Sequence, residues 1–111
     1  MPEDPHYMKQ GDTASIMKRT LVNAFGSPVN LTGASLKFSM RVKPAGTVKV
    51  NGALATIANA GLGEVQYSFS TDDTDTADEF ESEWEVSFSD GSVQTFPNDG
   101  YTPVIVTDDI A

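Results

Sequence analysis

Residues 80–88, FESEWEVSF, alternate between bulky apolar and charged side chains: Phe80, Trp84, Val86 and Phe88 hold one parity, and Glu81, Glu83, Glu85 and Ser87 the other. A period of two puts those sets on opposite faces of an extended chain, one against a core and one toward water. Such a segment is a half-buried antiparallel strand. The pattern returns in LKFSMRV, with Leu36, Phe38, Met40 and Val42 inward and Lys37, Ser39 and Arg41 outward, and in EVQYSFS through Val65, Tyr67 and Phe69. Ser82 interrupts the inward set of its strand, where a small residue leaves room for a bulky neighbour across the core.

Breakers separate these runs at intervals suited to short strands: FGSPVN, KPAGT, Asn51-Gly52, NAGLG and Asp90-Gly91. The two X-Gly pairs are the strongest, because a two-residue type I′ hairpin turn requires positive φ at both central positions. Seven or eight strands are expected, near 14–22, 34–42, 47–50, 53–58, 64–70, 79–89, 92–96 and 102–108. Nothing longer than a turn has helical period, so the chain reads as an all-β sandwich or barrel. TDDTDTADE at 71–79 reads as an acidic crossover between sheets, or as one helical turn capped by Thr71. In DGSVQTFPNDGYTPVIV, Pro97 ends a strand, NDG reverses the chain, and Pro103 places the start of the last strand near an edge. Gly91 and Gly100 are expected at positive φ, and the isomer of Pro97 is open. Residues 1–10, with two prolines and no period, read as a flexible N-terminal arm, leaving 11–111 as the folded domain.

A chain of 111 residues, 39% hydrophobic, builds one core without staples. It has no cysteine, which removes disulfides, thiolate metal sites and cysteine nucleophiles. No apolar run approaches the ~20 residues of a membrane helix, and the N-terminus lacks a secretory pattern, so synthesis in the cytoplasm and no membrane partner are expected. A formal net charge of -9 argues against nucleic acid. All seven Lys and Arg lie in residues 1–50, whereas residues 51–111 hold thirteen of the sixteen acids. Either acidic and basic strands become neighbours and cancel, or the molecule carries two surfaces of opposite sign. In the second case Glu81, Glu83 and Glu85 would face Lys37, Arg41 and Lys43 of another copy, a homo-oligomer formed head to tail.

Candidate chemistry is sparse. His6, the only histidine, falls in the arm, and no ordered base is available to activate a serine. Asp72, Asp73 and Asp75 are weak cation candidates, since their spacing misses the EF-hand loop. Glu81, Glu83 and Glu85 lack the pocket that a glycosidase acid needs. Trp84 lies on the core parity, so Tyr101 is the one loop aromatic suited to a glycan. No catalysis and no cofactor are expected.

In this chain the segments MKQGDTAS, GSPVNLTGASLKFSMR, GEVQYSF, DTDTADEF and EWEVSFSDGSVQTFPNDGY occur in that order between about Lys9 and Ile110. Together they resemble the N-terminal domain of the phage baseplate upper protein family. That resemblance implies an immunoglobulin-like antiparallel β-sandwich and a structural, docking role in a phage or prophage virion, associated with tail or baseplate. The partners it implies are other phage structural proteins. A capsid- or neck-associated decoration protein and a carbohydrate- or cell-surface-binding module are the alternatives.

Overall fold

The computed structural model describes residues 4–110. Its strands are β1 (His6–Lys9), β2 (Ile16–Thr20), β3 (Ser35–Val42), β4 (Val48–Leu54), β5 (Thr56–Asn59), β6 (Glu64–Ser68), β7 (Asp78–Ser87), β8 (Val93–Phe96) and β9 (Thr102–Thr107). Single 3-10 turns, Ala60–Leu62 and Thr71–Asp73, flank β6. One sheet has six strands, ordered β1-β9-β7-β3-β4 with β8 also on β7, and the other has three, ordered β2-β6-β5. The chain is an all-β, immunoglobulin-like sandwich.

The alternation read from the sequence sets the layers. Leu36, Phe38 and Met40 of β3 and Phe80, Trp84 and Val86 of β7 are all buried between the sheets. Phe38 makes the contact across them, stacking on Tyr67 at 4.3 Å and meeting Trp84 edge-on at 5.0 Å. Ser82, buried between Phe80 and Trp84 along β7, donates its hydroxyl to the Thr102 carbonyl at 2.8 Å.

Several expectations are corrected. The segment assigned to a flexible arm contributes β1, which pairs in parallel with β9 from His6↔Val104 to Lys9↔Thr107, so the larger sheet is mixed. Residues 1–3 of that arm lie outside the described residues. Met8 anchors β1 at 6% exposure, and His6 stacks on Phe69 at 5.7 Å while its Nε2 lies 2.9 Å from Ser15 Oγ. Burial, and then the nearby Arg19 charge, depress the His6 pKa.

Asn51-Gly52 is not a hairpin turn. β4 runs through it, and its register with β3 slips between Phe38↔Ala53 and Met40↔Val50, so two β4 residues oppose Ser39. Gly52, at φ 66, supplies the left-handed residue of this bulge, and its N–H donates to Ser39 Oγ at 2.9 Å. The change of sheet comes later, at Ala55, between β4 and β5. Asp90-Gly91 does join β7 to β8, but through three residues rather than two. Phe88 N–H bonds the Ser92 carbonyl at 2.8 Å and Gly91 N–H the Phe88 carbonyl at 3.0 Å. Asp90 holds this turn by accepting from both the Ser92 N–H and its hydroxyl. The crossover turn, Thr71–Asp73, is capped by Ser70 and not by Thr71.

β7 is the axis of the larger sheet. One flank pairs with β3 over its whole upper length, from Phe80↔Val42 to Ser87↔Ser35. The other is shared: β8 covers Trp84 to Ser87 and β9 covers Asp78 to Ser82. β8 and β9 therefore lie end to end in the same direction, and residues 97–101 leave the sheet opposite Glu83. The Phe96–Pro97 bond is cis. Pro103 precedes the first β1 pairing partner, Val104; beyond it β9 is flanked on both sides.

Candidate functional site

Because β3 and β7 devote the same parity to the core, their charged residues share the outer face of the larger sheet. The register sets Lys37 opposite Glu85, Ser39 opposite Glu83 and Arg41 opposite Glu81. The basic and acidic strands are thus immediate neighbours. Of the two arrangements open from the sequence, the register is that of neighbouring strands of opposite sign, joined on this face by the Arg41–Glu81 ion pair.

Arg41 is the most elaborated of these residues. Its Nε donates to Glu81 Oε1 at 2.7 Å, its second terminal nitrogen donates to the Tyr101 hydroxyl at 2.8 Å, and its guanidinium carbon lies 4.8 Å from the Tyr101 ring centroid. The same Glu81 oxygen accepts the Ala45 N–H at 2.8 Å, and Ala45 itself has φ 48. The Ala45 N–H, followed by Arg41 and Lys43, holds the Glu81 carboxyl below its ordinary pKa. Lys43 sits just past β3, its N–H bonded to the Glu79 carbonyl.

Beside this pair is a hollow of about 220 Å³ whose lining includes Ser39, Arg41, Val48, Asn51, Glu83 and Tyr101. It spans four strand positions: the 97–101 excursion raises Tyr101 on one rim, and the bulged β4 raises Val48 and Asn51 on the other. Ser39 and Glu83 form the floor between them. Of the residues singled out from sequence, the structure brings together Arg41, Glu81, Glu83 and Tyr101, with Lys43 nearby. Lys37 and Glu85 lie further along the same strands. Nothing in the sequence announced the hollow, because it depends on a bulge and an excursion from different strands.

Asp72, Asp73 and Asp75 do not converge. Asp73 is buried, accepting the Tyr67 hydroxyl at 2.6 Å and the Ser70 N–H at 2.9 Å; burial, and then the bond to Asp73, push the Tyr67 pKa up. Asp75 pairs with Lys49, which holds its pKa down, and Asp72 is exposed. Among the described residues no group of three or more His, Cys, Asp or Glu side chains forms a metal-ligand set.

A second surface is built by the turn that follows β2. Val22 and Pro28 form an isolated bridge, and Asn23 Oδ1 accepts the N–H groups of Phe25 and Ser27 at 2.9 and 3.1 Å, pinning a short turn. Phe25, at its tip, is 92% exposed. Asn98 of the excursion donates to the Val22 carbonyl at 3.3 Å, tying the two loops together.

No protein-family model matches the chain, and no curated protein matches it. Ten solved chains do. One is the crystal structure of CopC from Methylosinus trichosporium OB3b, with a TM-score of 0.52 and 14% identity, covering 96% of this chain and 87% of that one. At that identity the likeness is one of fold alone.

Proposed function

We propose that the chain is a non-enzymatic docking module of a phage or prophage virion, associated with tail or baseplate, that binds other structural proteins of the particle. The reading rests on the resemblance to the baseplate upper protein N-terminal domain. One observation carries it further: the motif segments GSPVNLTG and TFPNDGY are joined at a single surface. Asn98 of the second bonds Val22, whose bridge to Pro28 closes the turn leading into the first. That turn holds Phe25 almost fully in solvent, and a fixed aromatic at a loop tip suits a contact with another protein. The sandwich supplies a rigid frame for these loops, as fold alone assigns no chemistry.

The glycan alternative depends on Tyr101, and Arg41 already lies over that ring. The test is localisation. Purified phage or prophage particles from the host should contain the protein at a fixed ratio to tail proteins, and gold-labelled antibody should mark the tail end. A protein found only in the unassembled cell fraction would overturn the proposal.

A further inference from the structure

We propose that the hollow on the outer face of the larger sheet receives one arginine side chain presented by a protein partner. Three outward glutamates of β7, Glu81, Glu83 and Glu85, differ in what β3 sets opposite them. Glu81 is held by Arg41 and the Ala45 N–H, and Glu85 faces Lys37. Glu83 faces Ser39, and its carboxylate takes part in no hydrogen bond or ion pair among the described residues. It is half-buried on the floor of the hollow. With Arg41 neutralised by Glu81, the hollow is left with one uncompensated negative charge.

The remaining lining fits the same guest. Asn51 adds a neutral oxygen acceptor to the same lining as Glu83, Ser39 Oγ keeps a second lone pair beside the Gly52 N–H it accepts, and a guanidinium has five donors in a planar fork to meet them. Val48, 54% exposed on the rim opposite Tyr101, offers apolar surface to the methylene stem. A volume of about 220 Å³ is below the ~300–1,000 Å³ typical of small-molecule sites, which suits a single side chain. The net charge of -9 adds long-range attraction for a basic partner. The inference supplies partner chemistry to the docking reading and rests on it only for where the partner resides.

The test is an amide chemical-shift titration of the labelled full chain with acetyl-Gly-Arg-Gly-amide and with its neutral citrulline counterpart. The arginine peptide should give saturable shifts at Ser39, Asn51, Glu83 and Tyr101, and the citrulline peptide none. Glu83→Gln should weaken binding by roughly tenfold or more, while Glu85→Gln should leave it within about twofold. Equal binding of the citrulline peptide, unchanged binding by Glu83→Gln, or no saturable shift would overturn the inference. Any of these leaves the particle-localisation result standing, so the two readings fail separately.

Discussion

Trp84 is fully buried at the centre of the sandwich, yet its indole Nε1–H has no hydrogen-bond partner among the described residues. Leaving a buried donor unpaired costs about 1–3 kcal/mol, so the residue is retained for the volume it fills. Trp84→Ala should lower the unfolding free energy by about 3–5 kcal/mol. Trp84→Phe, which removes the unpaired N–H and keeps a ring, should lose less than half as much; equal losses in urea titrations would refute this account. Glu81 carries a different kind of stability. Its pKa is depressed in the folded state, so its contribution is complete above the ordinary value of 4.5 and is lost as pH falls through the lower folded value. Glu81→Gln should therefore melt below wild type at neutral pH, and the gap should close as the solution is acidified below pH 4.5, as followed by thermal unfolding against pH. Trp84 burial was legible because its parity was shared with three other apolar residues. His6 was not: one imidazole in a four-residue strand shows no period, and its stacking partner Phe69 is distant in sequence.

Local sequence specified backbone angles better than it specified strand partners. Gly91 and Gly100 have φ 91 and 70, as their neighbours implied, and Gly52 has φ 66. Yet Asn51-Gly52 interrupts the pairing of one continuous strand instead of reversing the chain, because the same left-handed residue serves a bulge or a turn. The choice is made by β3, which supplies Ser39 Oγ to the Gly52 N–H. A Cβ at Gly52 would meet only Lys37 Cδ at 3.7 Å, so substitution there strains the backbone and little else. Gly52→Val should cost about 1–2 kcal/mol or more in thermal or chemical unfolding, and a variant as stable as wild type would mean that β4 is not bulged. β1 was invisible for a related reason. Its parallel partner lies at the opposite end of the chain, and four residues give no pattern by which to recognise it.

The charge division along the sequence was legible, but its meaning depended on topology. β3 and β7, one basic and one acidic, are hydrogen-bonded neighbours, so the contrast that would drive head-to-tail association is spent inside each molecule. The isolated protein should therefore sediment as a monomer at low salt and at about 1 M salt, where the Debye length is ~3 Å. Combined Glu81/Glu83/Glu85→Gln substitution should leave that unchanged. Salt-sensitive self-association in the wild type would restore the bipolar picture.

Two strands lying end to end along one flank of β7 leave the chain with a natural splice point. Trp84↔Phe96 fixes β8 and Ser82↔Thr102 fixes β9, so neither alignment depends on how far the backbone travels between them. Lengthening that detour adds only loop entropy, about 0.6 kcal/mol for each doubling. A foreign epitope of ten glycine- and serine-rich residues grafted between Asp99 and Gly100 should lower Tm by only a few degrees, at about 4–8 °C per kcal/mol. The same graft within β8 should abolish folding. The fold is thus already organised as a display scaffold, with its cargo position beside the Glu83 hollow.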